Sequence, residues 1–383
     1  MFESFKNLDL YGLETPSFVI SLEKLEENFK LLKYVEEKSS ATVLMALKAF
    51  SCYETFDLAK KYLSGTSSSG LNEAMLANQY FGGSIHVYSP AFPKSEVEKL
   101  CEFADTIIFN SSAEIKKHSE AIKNSKRKIS VGIRVNPEYA EVETEIYNPC
   151  APKSRLGSMK SLLPEDITDS IDGIHFHAMC EQGVDVLERI LAHFEEKFDD
   201  LIKKVSWVNL GGGHHITKEG YDVEKLIGVI QNFRKKYPNL KRVYLEPGEA
   251  IALNAGIFVS EVLTLHKNQC EIAVLDCSAT CHMPDVLEMP YRPQILNAGE
   301  SSVKAYTYRL GGRSCLAGDV IGDYSFDEEL KEGMRLVFGD MAIYSMVKTS
   351  TFNGMNLPSI YIWNGKTAIK HKSFGYEEFK ARL

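Results

Sequence analysis

The chain has 383 residues, 44% hydrophobic and 25% charged, which fits a globular protein and excludes a disordered, fibrous or coiled-coil one. Asp and Glu outnumber Lys and Arg by 52 to 44, a net charge of −8; this argues against nucleic acid as a partner and favours cationic ligands. No apolar run approaches the ~18–20 residues that span a bilayer, MFESFKNLDLYG has neither the basic start nor the apolar core of a signal peptide, and the eight cysteines are scattered as free thiols are, so a cytoplasmic protein with no membrane partner is expected.

Thr15–Ser21 reads as a strand that stands before everything else. Short apolar segments then alternate with longer helical stretches. The strand candidates are Thr42–Lys48, Gly65–Ser69, Ser84–Ser89, Thr106–Asn110, Ile129–Asn136, Gly173–Ala178, Trp207–Leu210 and Arg242–Glu246. Between them Tyr53–Leu63, Ser95–Phe103, Ala113–Lys123, Val184–Lys203 and Val223–Tyr237 repeat their apolar residues at three and four. Eight such units predict an α/β fold, a (β/α)8 barrel over residues 24–255, with a doubly wound open sheet as the alternative. After Ala255 the helical period fades. Ile257–Leu265, Glu271–Asp276, Val303–Leu310, Met334–Phe338 and Ser359–Trp363 alternate as strands between Gly and Pro breaks. They predict a β-sandwich or small β-barrel built from 256–383 together with 1–23, the N-terminal strand pairing into it.

In a (β/α)8 barrel the chemistry sits at the C-terminal ends of the strands. Lys48 ends the first, after VLMAL. Burial there lowers the amine's pKa and suits it to Schiff-base chemistry; a stem that carries its charge out to solvent is the other reading. Gly211, Gly212 and Gly213 follow the seventh strand, where three glycines let backbone N–H groups close on a phosphate or merely make a turn. Glu246 ends the eighth strand and Pro247–Gly248 turn sharply behind it; a catalytic carboxylate and an internal ion pair are both open. His175 and His177 share one face of strand six. With His214–His215 and Cys277, Cys281, His282 they raise the question of metal, but no supporting spacing completes a ligand set and no metal is expected. Cys315 lies in GGRSCLAGD, four residues before Asp319, either a buried inert thiol or an acid activated beside Arg313.

Lysine on strand one, histidine on strand six, a glycine loop after strand seven and Glu-Pro-Gly after strand eight together resemble the fold-type III pyridoxal-phosphate enzymes, the alanine racemase and ornithine/diaminopimelate decarboxylase group. The resemblance runs from Thr15 to the end. It implies pyridoxal 5'-phosphate as cofactor. Lys48 is implied to bond it, His177 to stack on its ring, Gly211–Gly213 and Gly248 to approach its phosphate, and Glu246 to pair with its ring nitrogen. Tyr344, ahead of Phe352–Asn353–Gly354, is implied as a further phosphate contact. The decarboxylase branch carries a cysteine loop and an acid supplied across a homodimer interface; SCLAGD matches with Cys315 and Asp319, whereas the racemase branch uses a tyrosine instead. Lys48, His177, Glu246 and Cys315 are therefore the implied catalytic set.

There are departures. Glu249 stands where the family has an arginine, Cys180 where it has a serine, and TSSSG lacks an aspartate on strand two, although Glu73 downstream still fits. These changes, with LMALKAF and Leu275–Pro293, resemble the carboxynorspermidine decarboxylase branch more than the ornithine and diaminopimelate enzymes. A small polyamine-type substrate carries ammonium groups, and burying those requires carboxylates. Glu249, Asp285 and Asp319 are the candidates for its tail. A decarboxylase of another basic amino acid, such as arginine, ornithine or diaminopimelate, is the alternative.

Overall fold

The computed structural model describes Met1–Leu383. The chain forms two compact units, Glu27–Ile251 and a second made of Met1–Glu26 with Ala252–Leu383. Strand β1, Ser17–Ser21, belongs to the second unit.

The first unit is a closed parallel barrel. Its strands are β2 (Thr42–Ala46), β3 (Gly65–Ser68), β4 (Ser84–Tyr88), β5 (Thr106–Phe109), β6 (Ser130–Arg134), β7 (Gly173–His175), β8 (Trp207–Asn209) and β9 (Arg242–Leu245). β9 returns to β2 through Thr42↔Tyr244 and Val43↔Leu245, which closes the ring and rules out the doubly wound alternative. At the bottom Trp207 fills the interior. A Cβ on Gly173 would lie 2.0 Å from its indole and one on Gly132 2.5 Å away, so β6 and β7 need glycine there. Trp207 Nε1 donates to Ser130 Oγ at 2.9 Å. The bottom is thus plugged, and polar side chains gather at the other end.

The outer helices follow the period read from sequence. Val184–Ile202 buries Leu187, Ile190, Leu191, Phe194, Phe198 and Leu201, an apolar face repeating at three and four. Val223–Lys236 starts on Asp222, whose carboxylate accepts from Lys225 N–H at 2.9 Å, and ends on Arg234, Lys235 and Lys236 against the negative end of its dipole. Leu22–Ser39 and the short helix Leu71–Leu76 are further helices that the sequence pattern does not mark.

The second unit is one nine-stranded mixed sheet. To β1 it adds β10 (Gly256–Asn268), β11 (Cys270–Leu275), β12 (Gly299–Glu300), β13 (Tyr306–Gly311), β14 (Val320–Phe326), β15 (Arg335–Phe338), β16 (Ser359–Trp363) and β17 (Ala368–Lys372). β1 runs antiparallel to β10 and parallel to β16, so the N-terminal strand does pair into the C-terminal sheet. The long β10 holds β1, β11 and β15, with a register shift between Val262 and Thr264. Period two separates two cores: Val19, Ile257, Val259 and Val337 face one, Phe18, Phe258, Leu336 and Phe338 the other. β14 and β17 are not evident in the sequence: VIGDYSF is broken by Gly322 and Asp323, and AIKHK is a half-exposed edge.

Candidate active site

Eight short strands end at one rim, and the residues just beyond them build the site. Two backbone stitches fix Lys48: Ala46 N–H donates to Pro247 O at 3.1 Å and Leu47 N–H to Ser67 O at 2.9 Å. The Glu-Pro-Gly turn therefore holds the strand that carries the lysine. Lys48 keeps accessible surface, but that surface opens into a recess of protein atoms. Enclosure lowers its pKa, the guanidinium of Arg134 lowers it further, and Glu246 only partly opposes them. A larger neutral fraction makes the amine a nucleophile.

Glu246 is buried, and its carboxylate is surrounded by donors. Asn209 Nδ2 donates to Oε1 at 2.8 Å, His175 Nε2 faces Oε2 at 3.3 Å, and Ser67 adds a hydrogen bond. Burial alone would raise its pKa; His175, Asn209 and Ser67 outweigh burial and hold it below the usual carboxylate range. Burial lowers the pKa of His175 more than Glu246 raises it, so the pair stands as carboxylate and neutral imidazole. Glu73 has moved the other way: burial raises its pKa, while Ser69 N–H donates to it at 2.6 Å.

The glycine loop corrects one expectation. Gly211 N–H donates to Asn209 Oδ1 at 2.8 Å and Gly212 N–H to His177 Nδ1 at 2.9 Å. Two of the three amides expected to meet a phosphate instead orient side chains, and Gly213 N–H is the one not spent this way. Close approach explains the glycines. Gly211 has φ 70° and Gly213 φ 87°, and a Cβ on Gly212 would lie 2.1 Å from Glu246 O. Because His177 Nδ1 accepts, its proton sits on Nε2; burial, Lys48 and Arg134 push its pKa well down, so the ring is neutral. Arg134 Nη2 donates to His177 O at 3.1 Å, and its guanidinium lies 4.7 Å from the centre of the Tyr88 ring. Cys180 lies where a serine was expected; burial, then Glu249 and Glu181, push its thiol up to about 12.

Asn209, Ser67, His175, Arg134 and Tyr88 are the residues that sequence reasoning missed or left without a role here. Each is a polar residue at or near the C-terminal end of a barrel strand, which is the signal that could have found them.

The acids expected to meet the substrate are already engaged. Glu249 Oε2 lies 3.0 Å from His215 Nε2. Asp285 pairs with Lys348 at 2.5 Å, and Lys348 also meets Glu288. Asp319 is a correction. It is buried and accepts from Ala279 N–H at 2.7 Å, Thr280 N–H at 3.4 Å, Ser314 N–H at 3.2 Å and Ser314 Oγ at 2.5 Å. No oxygen is left for an ammonium group; Asp319 shapes the cysteine loop. Cys315 at the tip of that loop is exposed, and its N–H donates to Asn353 Oδ1 at 2.7 Å. The SCLAGD and Phe352–Asn353–Gly354 motifs thus meet inside the second unit. Tyr344, in the same unit, has a left-handed backbone, φ 54°. His282 is spent on Ser278 N–H and Asn356 O, so the Cys277–Cys281–His282 group is not a ligand set.

A neutral-prone amine, a carboxylate kept anionic, a neutral histidine and a glycine turn fit pyridoxal 5'-phosphate, which Lys48 and Glu246 would hold by its aldehyde and its ring nitrogen. The comparisons agree. Residues 18–342 match the family model described as "Pyridoxal-dependent decarboxylase, C-terminal sheet domain". The carboxynorspermidine/carboxyspermidine decarboxylase of Campylobacter jejuni is 41% identical over 97% of this chain and 98% of its own. The carboxyaminopropylagmatine decarboxylase of Synechocystis is 40% identical over 99% of this chain and 97% of its own. A crystal structure of the Campylobacter jejuni carboxynorspermidine decarboxylase, complexed with norspermidine, superposes with a TM-score of 0.89 at 39% identity, covering 97% of this chain and 100% of that one. The chain belongs to the pyridoxal-dependent decarboxylases and is an amino-acid decarboxylase that uses pyridoxal 5'-phosphate.

Proposed function

We propose that this enzyme decarboxylates carboxynorspermidine and carboxyspermidine in polyamine synthesis. The observation that carries the reading is the full-length similarity to the Campylobacter jejuni enzyme, joined to a rim that holds the implied lysine, histidine and glutamate. Carboxyaminopropylagmatine is the second reading, because the Synechocystis relative is similar to nearly the same degree.

When bound, the cofactor supplies a ring that accepts the electrons left at Cα as CO2 departs. The chain's own residues do the rest. Lys48 offers an amine poised to be neutral. Glu246 presents an anionic acceptor, held by His175, Asn209 and Ser67, that keeps a ring N–H in place as negative charge develops. His177 lays a neutral ring at the mouth, fixed by Gly212 N–H. Cys315 returns a proton to Cα from the partner subunit of a homodimer with shared sites, and Tyr344 contacts the phosphate. No helix is long and apolar enough to cross a membrane.

The test is CO2 release from carboxynorspermidine, carboxyspermidine, carboxyaminopropylagmatine, ornithine, arginine and diaminopimelate. The two carboxylated spermidines should give the highest kcat/KM. A higher value for carboxyaminopropylagmatine moves the assignment to the second reading, and one for ornithine, arginine or diaminopimelate overturns both.

A further inference from the structure

Three acid–base side chains meet on the loops after β7, β8 and β9, apart from Lys48 and Glu246. They are Glu181, His215 and Glu249, and one ligand atom of each lies within 4.8 Å of the others. His215 Nε2 is 3.0 Å from Glu249 Oε2, and the side chains of Glu249 and Glu181 share a hydrogen bond. His215 is only 7% exposed. Its Nε2 faces Glu249, and its Nδ1 is buried without a partner. Cys180, next in chain to Glu181, is a thiol that both carboxylates disfavour as an anion. Lys218 acts on Glu181 only from a distance.

Two carboxyl groups in contact beside one imidazole call for a cation. Ligand chemistry decides which kind. First-row divalent ions hold N and O ligands at about 2.0–2.2 Å, which puts neighbouring ligand atoms about 3.0–3.4 Å apart. Nε2 and Oε2, hydrogen-bonded at 3.0 Å, already stand at a separation that two ligands of such an ion would take. One imidazole and two carboxylates are also donors that first-row ions such as Zn²⁺ and Mn²⁺ accept.

We propose that Glu181, His215 and Glu249 bind one divalent first-row metal ion, with water completing its coordination. The site revises the expectation from sequence that these histidines hold no metal. It joins three successive loops of the barrel rim. His215 lies two residues beyond Gly213, so the ion clamps the glycine turn that orients His177. The site is independent of which substrate the enzyme takes.

The test uses the cofactor-loaded enzyme, stripped with a chelator and dialysed against ZnCl2 or MnCl2, with metal content and affinity measured. One ion per chain is expected, together with a ¹⁴N coupling to bound Mn²⁺. Glu181→Gln, at an exposed position where folding is safe, should weaken binding by at least about tenfold, and Glu249→Gln by more. Circular dichroism checks that both variants are folded. Less than one ion per chain, or equal binding by wild type and both folded variants, means an adventitious ion only and overturns the site.

Discussion

Replacing Glu246 by Gln tests the reading of the site most directly. The amide is nearly the same size, so packing is kept and only charge and hydrogen-bond polarity change. Asn209 Nδ2 at 2.8 Å requires an acceptor, which places the new Oε1 toward Asn209 and the new NH2 toward His175. His175 can move its proton to Nδ1, which now has no partner, and accept from the amide through Nε2. The fold and the glycine turn therefore survive, and the cofactor should still load on Lys48. What is lost is the anion facing the ring nitrogen. A charge-assisted hydrogen bond contributes about 1.5–3 kcal/mol. At about 1.4 kcal/mol per decade, kcat should fall by at least roughly one to two decades. CO2 release gives kcat, and visible absorbance gives cofactor content in the same sample. A fully loaded variant with kcat within twofold of wild type would refute the electron-sink role of Glu246.

Other expectations follow from the same geometry. Borohydride reduction and peptide mapping should place the cofactor on Lys48; a label on any other lysine overturns that assignment. In cofactor-free enzyme, enclosure and Arg134 lower the Lys48 pKa, so its neutral fraction is larger at a given pH; acylation followed by mass spectrometry should show its reactivity rising at lower pH than that of surface lysines, and coincident profiles would count against the depressed pKa. Mixing inactive Lys48→Ala and Cys315→Ala subunits at equal amounts should restore roughly a quarter of wild-type activity, since half the dimers are hybrids with one intact site each; no recovery despite proven exchange removes Cys315 from the partner's site. Phe194→Ala, in the fully buried face of Val184–Ile202, should cost about 3–5 kcal/mol in urea unfolding, and a cost below about 1 kcal/mol would contradict that packing.

Seven barrel strands were legible as short runs with β-branched residues bounded by turn residues, GTSS only from its place in the alternation, and Lys48, His177 and Glu246 because they end such runs. Their supporting cast was not. Asn209 and Ser67 are single polar residues within brief strands, and nothing in one sequence says that both turn toward Glu246. Arg134 looks in sequence like the end of a strand, not a buried cation under His177. Gly211 and Gly212 are recognisable as a loop, but the direction of an N–H is set by tertiary geometry that composition does not carry. Asp319 shows the converse failure. Its place beside Cys315 suggests chemistry, whereas four local donors have already claimed it. Glu181, His215 and Glu249 follow three separate strands, and only the side-by-side pairing of β7, β8 and β9 brings them together.

The place of β1 has a consequence for biogenesis. Ser17–Ser21 leaves the ribosome well before both its neighbours, β10 and β16, which are translated more than two hundred residues later. The nascent chain must carry an apolar, doubly unpaired strand while the whole barrel is synthesised and closes. Domains generally fold in order of synthesis, so the oldest strand waits for the sheet made last. Until then FVIS is a sticky segment open to capture by another chain. A fragment of the C-terminal sheet made without the first twenty-one residues would lack an interior strand and expose two edges. To be produced on its own, that sheet should therefore carry this leader strand fused back beside Gly256–Asn268.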